Sequence, residues 1–199
     1  MITRKEMTRM LLKEGLLSCL ANNSFETVTV TSLCKASGIT RSTFYLHYSN
    51  IMEIVDDLVD DAIAYSKPGM VDNNNLQTIA KTLSAASDSV SLREAYDSIF
   101  DRLPLCQRII RHKKYLPLFL DEQISEYVLQ RIIGSEKDRQ GLVMAEALGI
   151  SFDVGVSVFV FLVHGLYAIN KEYKWTQSDE WLEAQKVIFE LVYRGLQSK

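Results

Sequence analysis

Apolar residues recur through most of this chain at intervals of three and four, the spacing of one helix face. Thr8, Leu11, Leu12, Gly15, Leu16, Cys19 and Leu20 form a first such stripe, predicting a helix from about Thr3 to Ala21 that Asn22-Asn23-Ser24 ends. Ile51, Ile54, Val55, Leu58 and Ala62 form another, opened by Asn50 with Glu53 as a capping box. Glu53, Asp56, Asp57, Asp60 and Asp61 make its other face acidic, read here as a solvated surface. Lys67-Pro68-Gly69 and Asp72 to Asn75 then mark a break between a head and a body. In the body the pattern predicts a short helix from Leu76 to Leu83, one from Leu92 to Arg102 opened by Ser91 and Glu94, and one starting at Pro104. Further helices are expected from Pro117 to Ile133 and from Ser135, capped with Asp138, to Asn170. The last begins at Ser178, where Ala184, Val187, Ile188, Leu191, Val192 and Gly195 keep one row. The chain therefore reads as all-α.

Thr29 to Tyr48 reads as two short helices around a tight turn. Thr29 caps the first, Gly38 stops it and Thr40 caps the second. Phe44 and Tyr48, four apart, turn inward. The outward surface carries Arg41, Ser42, Thr43, Tyr45, Leu46 and His47, with none of the acids that a solvated helix face normally shows. This is the layout of a helix-turn-helix, whose second helix presents its N-terminal residues to base edges.

Charge sharpens that reading. The 199 residues carry a net charge of −3, which by itself disfavours nucleic acid. Residues 1–50, however, hold Arg4, Lys5, Arg9, Lys13, Lys35 and Arg41 against Glu6, Glu14 and Glu26, so a basic head precedes an acidic body. The first-helix cations are placed to reach a DNA backbone. Arg108, Arg111, His112, Lys113 and Lys114 form a second basic run, read as a solvated helix end. Cys19, Cys34 and Cys106 show no paired or metal-ligand spacing, and small core residues in a reducing cytoplasm are expected, with redox sensing at Cys106 as the alternative. The polar N-terminus lacks the apolar segment of a secretory leader, so a cytoplasmic location is expected.

Thr29-Val30 through Leu33, Gly38-Ile39-Thr40-Arg41 and Thr43-Phe44-Tyr45-Leu46-His47-Tyr48 resemble the DNA-binding signature of the TetR/AcrR family of bacterial transcriptional regulators. The chain departs from that signature at Ser24, where the family has Gly, and at Ile51, where it has a phosphate-contacting Lys. The resemblance implies an N-terminal three-helix head plus a C-terminal helical-bundle body for ligand binding and dimerisation. It divides the chain into a helix-turn-helix domain over 1–48, a connecting helix over 49–66 and a body over 67–199. The expected DNA-contacting residues are Thr29, Thr31, Thr40, Arg41, Ser42, Thr43, Tyr45 and His47. Arg41 is the candidate for guanine readout, and Thr29, Tyr45 and His47 are expected to hold the backbone.

The stretch from Gly149 to Ile169 is apolar almost all round, but Asp153 and His164 disfavour a membrane span. The resemblance implies that this helix and the last one build a homodimer interface, with Val158, Leu162, Gly165, Ala184, Ile188 and Leu191 as candidates. Asp153, Ser157 and His164 share a helix face, as a pocket stripe or as satisfied core groups. With Tyr96, Phe100, Phe119, Tyr127 and Phe152 they form the candidate lining for an unknown small-molecule effector. No catalytic, metal-binding or cofactor pattern stands out, so an enzyme is not expected. The reading is a ligand-responsive repressor on a palindromic double-stranded operator; the alternative is a TetR-like co-regulator that acts through a protein partner.

Overall fold

The computed structural model describes residues 3–66, 75–103, 105–108 and 113–197, and every regular element in them is helical. In order these are α1 (Arg4–Leu20), a 3-10 turn (Phe25–Thr27), α2 (Val30–Ser37), α3 (Arg41–Tyr45), α4 (Met52–Ser66), α5 (Asn75–Ser84), α6 (Ser89–Ser98) and a second 3-10 turn (Phe100–Arg102). They continue with α7 (Leu105–Arg108), α8 (Leu116–Leu120), α9 (Ser125–Leu148), α10 (Phe152–Glu172) and α11 (Asp179–Gln197). The Lys67-Pro68-Gly69 and Asp72 to Asn74 break, Pro104, Ile109 to His112 and the Cys106 side chain lie outside the described residues.

The chain forms two compact units. The first comprises Met1–Tyr65 and His112–Ile132, the second Ser66–Arg111 and Ile133–Lys199. Residues 113–132 thus group with the N-terminal helices although they lie beyond the break in sequence.

In the first unit α1 packs on α2 and α8, and α2 on α3. Leu12, Leu16, Leu33, Phe44, Ile54, Val55, Leu58, Leu118 and Phe119 are buried. The α1–α2 crossing depends on Gly15: a Cβ there would stand 2.0 Å from Ser37 Oγ, which itself donates to the Leu33 carbonyl at 2.8 Å. Asp121 interrupts the helix expected from Pro117 to Ile133. Its Oδ1 accepts the Gln123 and Ile124 N–H groups at 2.9 and 3.3 Å, and its Oδ2 accepts the Phe25 N–H at 2.6 Å. One buried carboxylate therefore opens α9 and tethers the turn that leads to α2.

In the second unit α11 packs on α5 and α6, and α7 on α10. Arg93 reaches Asp179 at 2.7 Å, and Lys186 donates to the Ala86 carbonyl at 2.8 Å just beyond α5. Asp88, not Ser91, caps α6, through a reciprocal bond with the Ser91 N–H and hydroxyl that starts the helix earlier than expected. The long helix expected from Ser135 to Asn170 is two helices. Gly149 adopts φ +62°, the Ile150 N–H returns to the Ala145 carbonyl at 3.1 Å, and Ser151 restarts the chain as α10.

Candidate nucleic-acid interface

Three local devices shape α2 and α3. Thr29 Oγ1 accepts the Ser32 N–H at 3.1 Å while Ser32 Oγ accepts the Thr29 N–H at 2.9 Å, which closes a capping box. Gly38 then takes φ +65°, and the Ile39 N–H reaches the Cys34 carbonyl at 3.0 Å, ending α2. Thr40 Oγ1 accepts the Thr43 N–H at 3.2 Å and lies 3.0 and 2.9 Å from the Ser42 and Thr43 hydroxyls. Phe44 is fully buried, edge-on to Tyr45 at 5.1 Å, and fixes which side of α3 faces outward.

That side carries Arg41 and Ser42, both exposed, Tyr45 at 53% exposure and Leu46 at 81%. Thr29, Thr31 and Thr40 are exposed as well, and Thr43 and His47 are half-buried. The eight expected DNA-contacting residues thus lie on or beside one capped hairpin. Leu46 is absent from that set. It is a large apolar side chain left exposed on the same surface.

α4 corrects two sequence expectations. Its acidic face is engaged by cations and hydroxyls, with Asp60 still exposed. Asp57 takes the Arg9 guanidinium and the Tyr48 hydroxyl, the latter at 2.6 Å, with Arg9 lying 5.0 Å over the Tyr48 ring. Asp61 takes Lys13 at 2.5 Å. Arg131 spans Asp56 and Asp60 at 2.8 and 2.9 Å, and Tyr127 donates to Asp56 at 2.5 Å. Glu53 accepts the Ser49 N–H at 2.8 Å. Arg9 and Lys13, expected at the DNA backbone, are therefore held by α4, whereas Arg4, Lys5, Lys35 and Arg41 are exposed. The second basic run is likewise not one solvated patch: Arg108 is buried and Lys114 pairs with Glu14 at 2.7 Å.

These contacts set the electrostatics around α4. Burial pushes Asp57 up, but the Arg9 and Tyr48 hydrogen bonds outweigh it and hold the carboxyl below its ordinary range. Burial and then the Asp57 bond push the Tyr48 hydroxyl well above its ordinary value, so it remains a donor at neutral pH. Burial also raises the Cys19 thiol and, against a lowering contribution from Arg41, that of Cys34, leaving both poor nucleophiles.

The candidate effector residues fall in different settings. Phe119 is buried in the first unit, where Tyr127 is engaged with Asp56. In the second unit Tyr96 is fully buried against Trp181, Phe100 and His164 are half-buried, and Phe152, Asp153 and Ser157 are exposed on α10. Of the candidate dimer residues, Gly165 and Leu191 are exposed and Val158, Leu162, Ala184 and Ile188 half-buried. They adjoin Val154, Phe161 and Val187 at 49%, 74% and 51% exposure, so α10 and α11 each present an apolar stripe. α10 is also long and apolar enough to cross a membrane, with 22% of that stretch buried.

No protein-family model matches the chain, and no curated protein sequence does. Among solved structures it is similar to the TetR family repressor AlkX from Dietzia sp. strain DQ12-45-1b, a protein implicated in n-alkane biodegradation. The likeness covers 95% of each chain at 15% identity and a TM-score of 0.39.

Proposed function

We propose that this chain is a DNA-binding transcriptional regulator of the TetR/AcrR type, acting as a repressor at an inverted-repeat operator. The observation that carries the reading is the acid-free outward face of α3, with Arg41, Ser42, Tyr45 and Leu46 exposed on a hairpin capped at both helix starts. Arg41 reads a guanine edge, Leu46 meets a thymine methyl, and Thr29, Thr31, Thr40, Ser42, Thr43, Tyr45 and His47 grip phosphates and set register. A homodimer places two α3 helices in successive major grooves. The apolar stripes of α10 and α11 supply its interface, because two helices that both expose such stripes suit a second copy of the chain. A small-molecule effector lowers operator affinity by preferring one head separation over the other.

The experiment is titration of the protein against DNA from upstream of its own gene and against random duplex at two salt concentrations. Tight binding that requires the inverted repeat and falls steeply with salt supports the regulator. Equal weak binding to both duplexes rejects it.

One observation favours a second reading. Arg9 and Lys13 are spent on α4, and Ile51 stands where the family has a phosphate-contacting Lys. A head with that reduced phosphate grip suits a co-regulator that binds its promoter only alongside a protein partner.

A further inference from the structure

Two carboxamides in the core of the second unit are incompletely hydrogen-bonded among the described residues. Gln185 on α11 is fully buried, and among the described residues neither its Nε2 nor its Oε1 meets a hydrogen-bond partner. Gln107 on α7 is also fully buried. Its Oε1 accepts the Tyr96 hydroxyl at 3.3 Å, but its Nε2 meets no partner among the described residues. Both belong to one neighbourhood. Tyr96 stands edge-on to Trp181 with ring centroids 5.1 Å apart, and Trp181 precedes Gln185 by one turn on the same face of α11. The Trp181 indole is in turn fixed, donating to Asn170 Oδ1 at 3.0 Å. Native cores seldom keep a buried amide unsatisfied, and here both neighbour a single aromatic pair, Gln107 through the Tyr96 hydroxyl and Gln185 one helical turn from Trp181.

A second, independent feature converges on the same place. Lys174 and Trp175, between α10 and α11, have φ values of 50° and 55°, in the left-handed region that non-glycine residues rarely adopt. The turn is pinned by the Trp175 N–H on the Asn170 carbonyl at 2.8 Å and by the Trp175 ring against Tyr167 at 5.4 Å. Backbone strain of this kind collects at ligand clamps. Asn170 thus holds the strained turn with its backbone and the Trp181 indole with its side chain.

We infer that this core binds a small, neutral, planar molecule with an amide-like edge: an N–H beside a carbonyl or ring nitrogen, as in an aromatic carboxamide or a neutral heterocycle. The ligand N–H donates to Gln185 Oε1, its acceptors take the Nε2 donors of Gln185 and Gln107, and its ring lies against Tyr96 and Trp181. The recognising groups are uncharged, so hydrogen-bond geometry and ring stacking select the ligand. The inference gives the effector of the proposed regulator a chemical class. It rests on that reading for any consequence at DNA, but not for binding itself.

The test is calorimetric titration of the full-length protein with benzamide, uracil and toluene, repeated on Gln185→Leu and Gln107→Leu. The expected result is binding of benzamide or uracil at least about tenfold tighter than toluene. Gln185→Leu should bring the polar probe down to the level of toluene. Failure of both polar probes to bind the wild type overturns the inference; so does toluene binding as tightly, or benzamide binding undiminished in both variants. If Gln185→Leu does not fold, the wild-type comparison with toluene and the Gln107→Leu titration decide the matter. A DNA titration with and without benzamide separates the two readings. Benzamide binding without any change in operator affinity supports the site and removes its regulatory role; binding in a protein that ignores operator DNA supports the site and rejects the regulator.

Discussion

The Tyr48 hydroxyl donates to the Asp57 carboxylate at 2.6 Å, and the same carboxylate oxygen takes the Arg9 guanidinium. α1, α4 and the residue that follows the recognition hairpin are thereby tied at a single oxygen. Asp57→Asn keeps the size of the side chain but removes its charge, and should lower the stability of the head by about 1–3 kcal/mol. Because the folded carboxyl lies below its ordinary value of 3.8, its contribution is present above that pH and is lost as pH falls through the folded value. Melting curves at neutral pH and near pH 3 check this: the gap between wild type and Asp57→Asn should narrow in acid. A gap of equal size at both values would reject the linkage.

Gly15→Ala should destabilise the head by roughly 1–3 kcal/mol through overpacking, because the new Cβ meets Ser37 Oγ at 2.0 Å and Ser37 Cβ at 3.0 Å. Adding Ser37→Ala removes the first clash and leaves the second, so the double variant should recover part of the loss in denaturant unfolding. Simple additivity of the two changes would show that the crossing does not depend on this contact.

At the proposed DNA face, Arg41→Ala should cost roughly 1–3 kcal/mol on the proposed operator and relax the preference at one base pair. Leu46→Ala should weaken binding by about fourfold, the value of roughly one buried methyl. Uracil in place of the contacted thymine should give the same loss, and the two changes together should give no more than either alone. Gel-shift titrations on thymine and uracil operators measure this, and independent additive losses would rule out contact at the methyl.

Leu191→Glu and Phe161→Glu place charges on the exposed apolar stripes of α11 and α10. Both should convert the proposed dimer to a monomer in sedimentation equilibrium with helix content retained, since an unpaired charge in an apolar interface is costly to desolvate. An unchanged mass for both variants would remove these stripes from the interface.

The recognition hairpin was legible because its determinants act within four residues: Thr29 on Ser32, Gly38 on the α2 carbonyls, Thr40 on Thr43. The stop at Gly149 carries the same kind of signal, Gly149-Ile150-Ser151 beside Gly38-Ile39-Thr40, but the apolar run around it outweighed one glycine in a periodicity argument. The acidic face of α4 was beyond such reading. Its partners are 48 residues back at Arg9 and 75 onward at Arg131, and helix spacing has no term for pairs that distant. Aromatic content also failed to separate core from surface, since Tyr96 packs fully buried while Phe161 faces outward. The incompletely bonded amides of Gln107 and Gln185, as seen among the described residues, could be found only once burial was known.

Residues 113–132 brace the first unit from far along the chain, where Asp121 takes the Phe25 N–H and Arg131 takes Asp56 and Asp60. During synthesis the recognition hairpin therefore leaves the ribosome long before the carboxylate and guanidinium that anchor its supports. A nascent chain stalled after α4 should remain open to proteases at its N-terminal helices and become resistant only once residue 132 has emerged. The hairpin is thus made first and braced last.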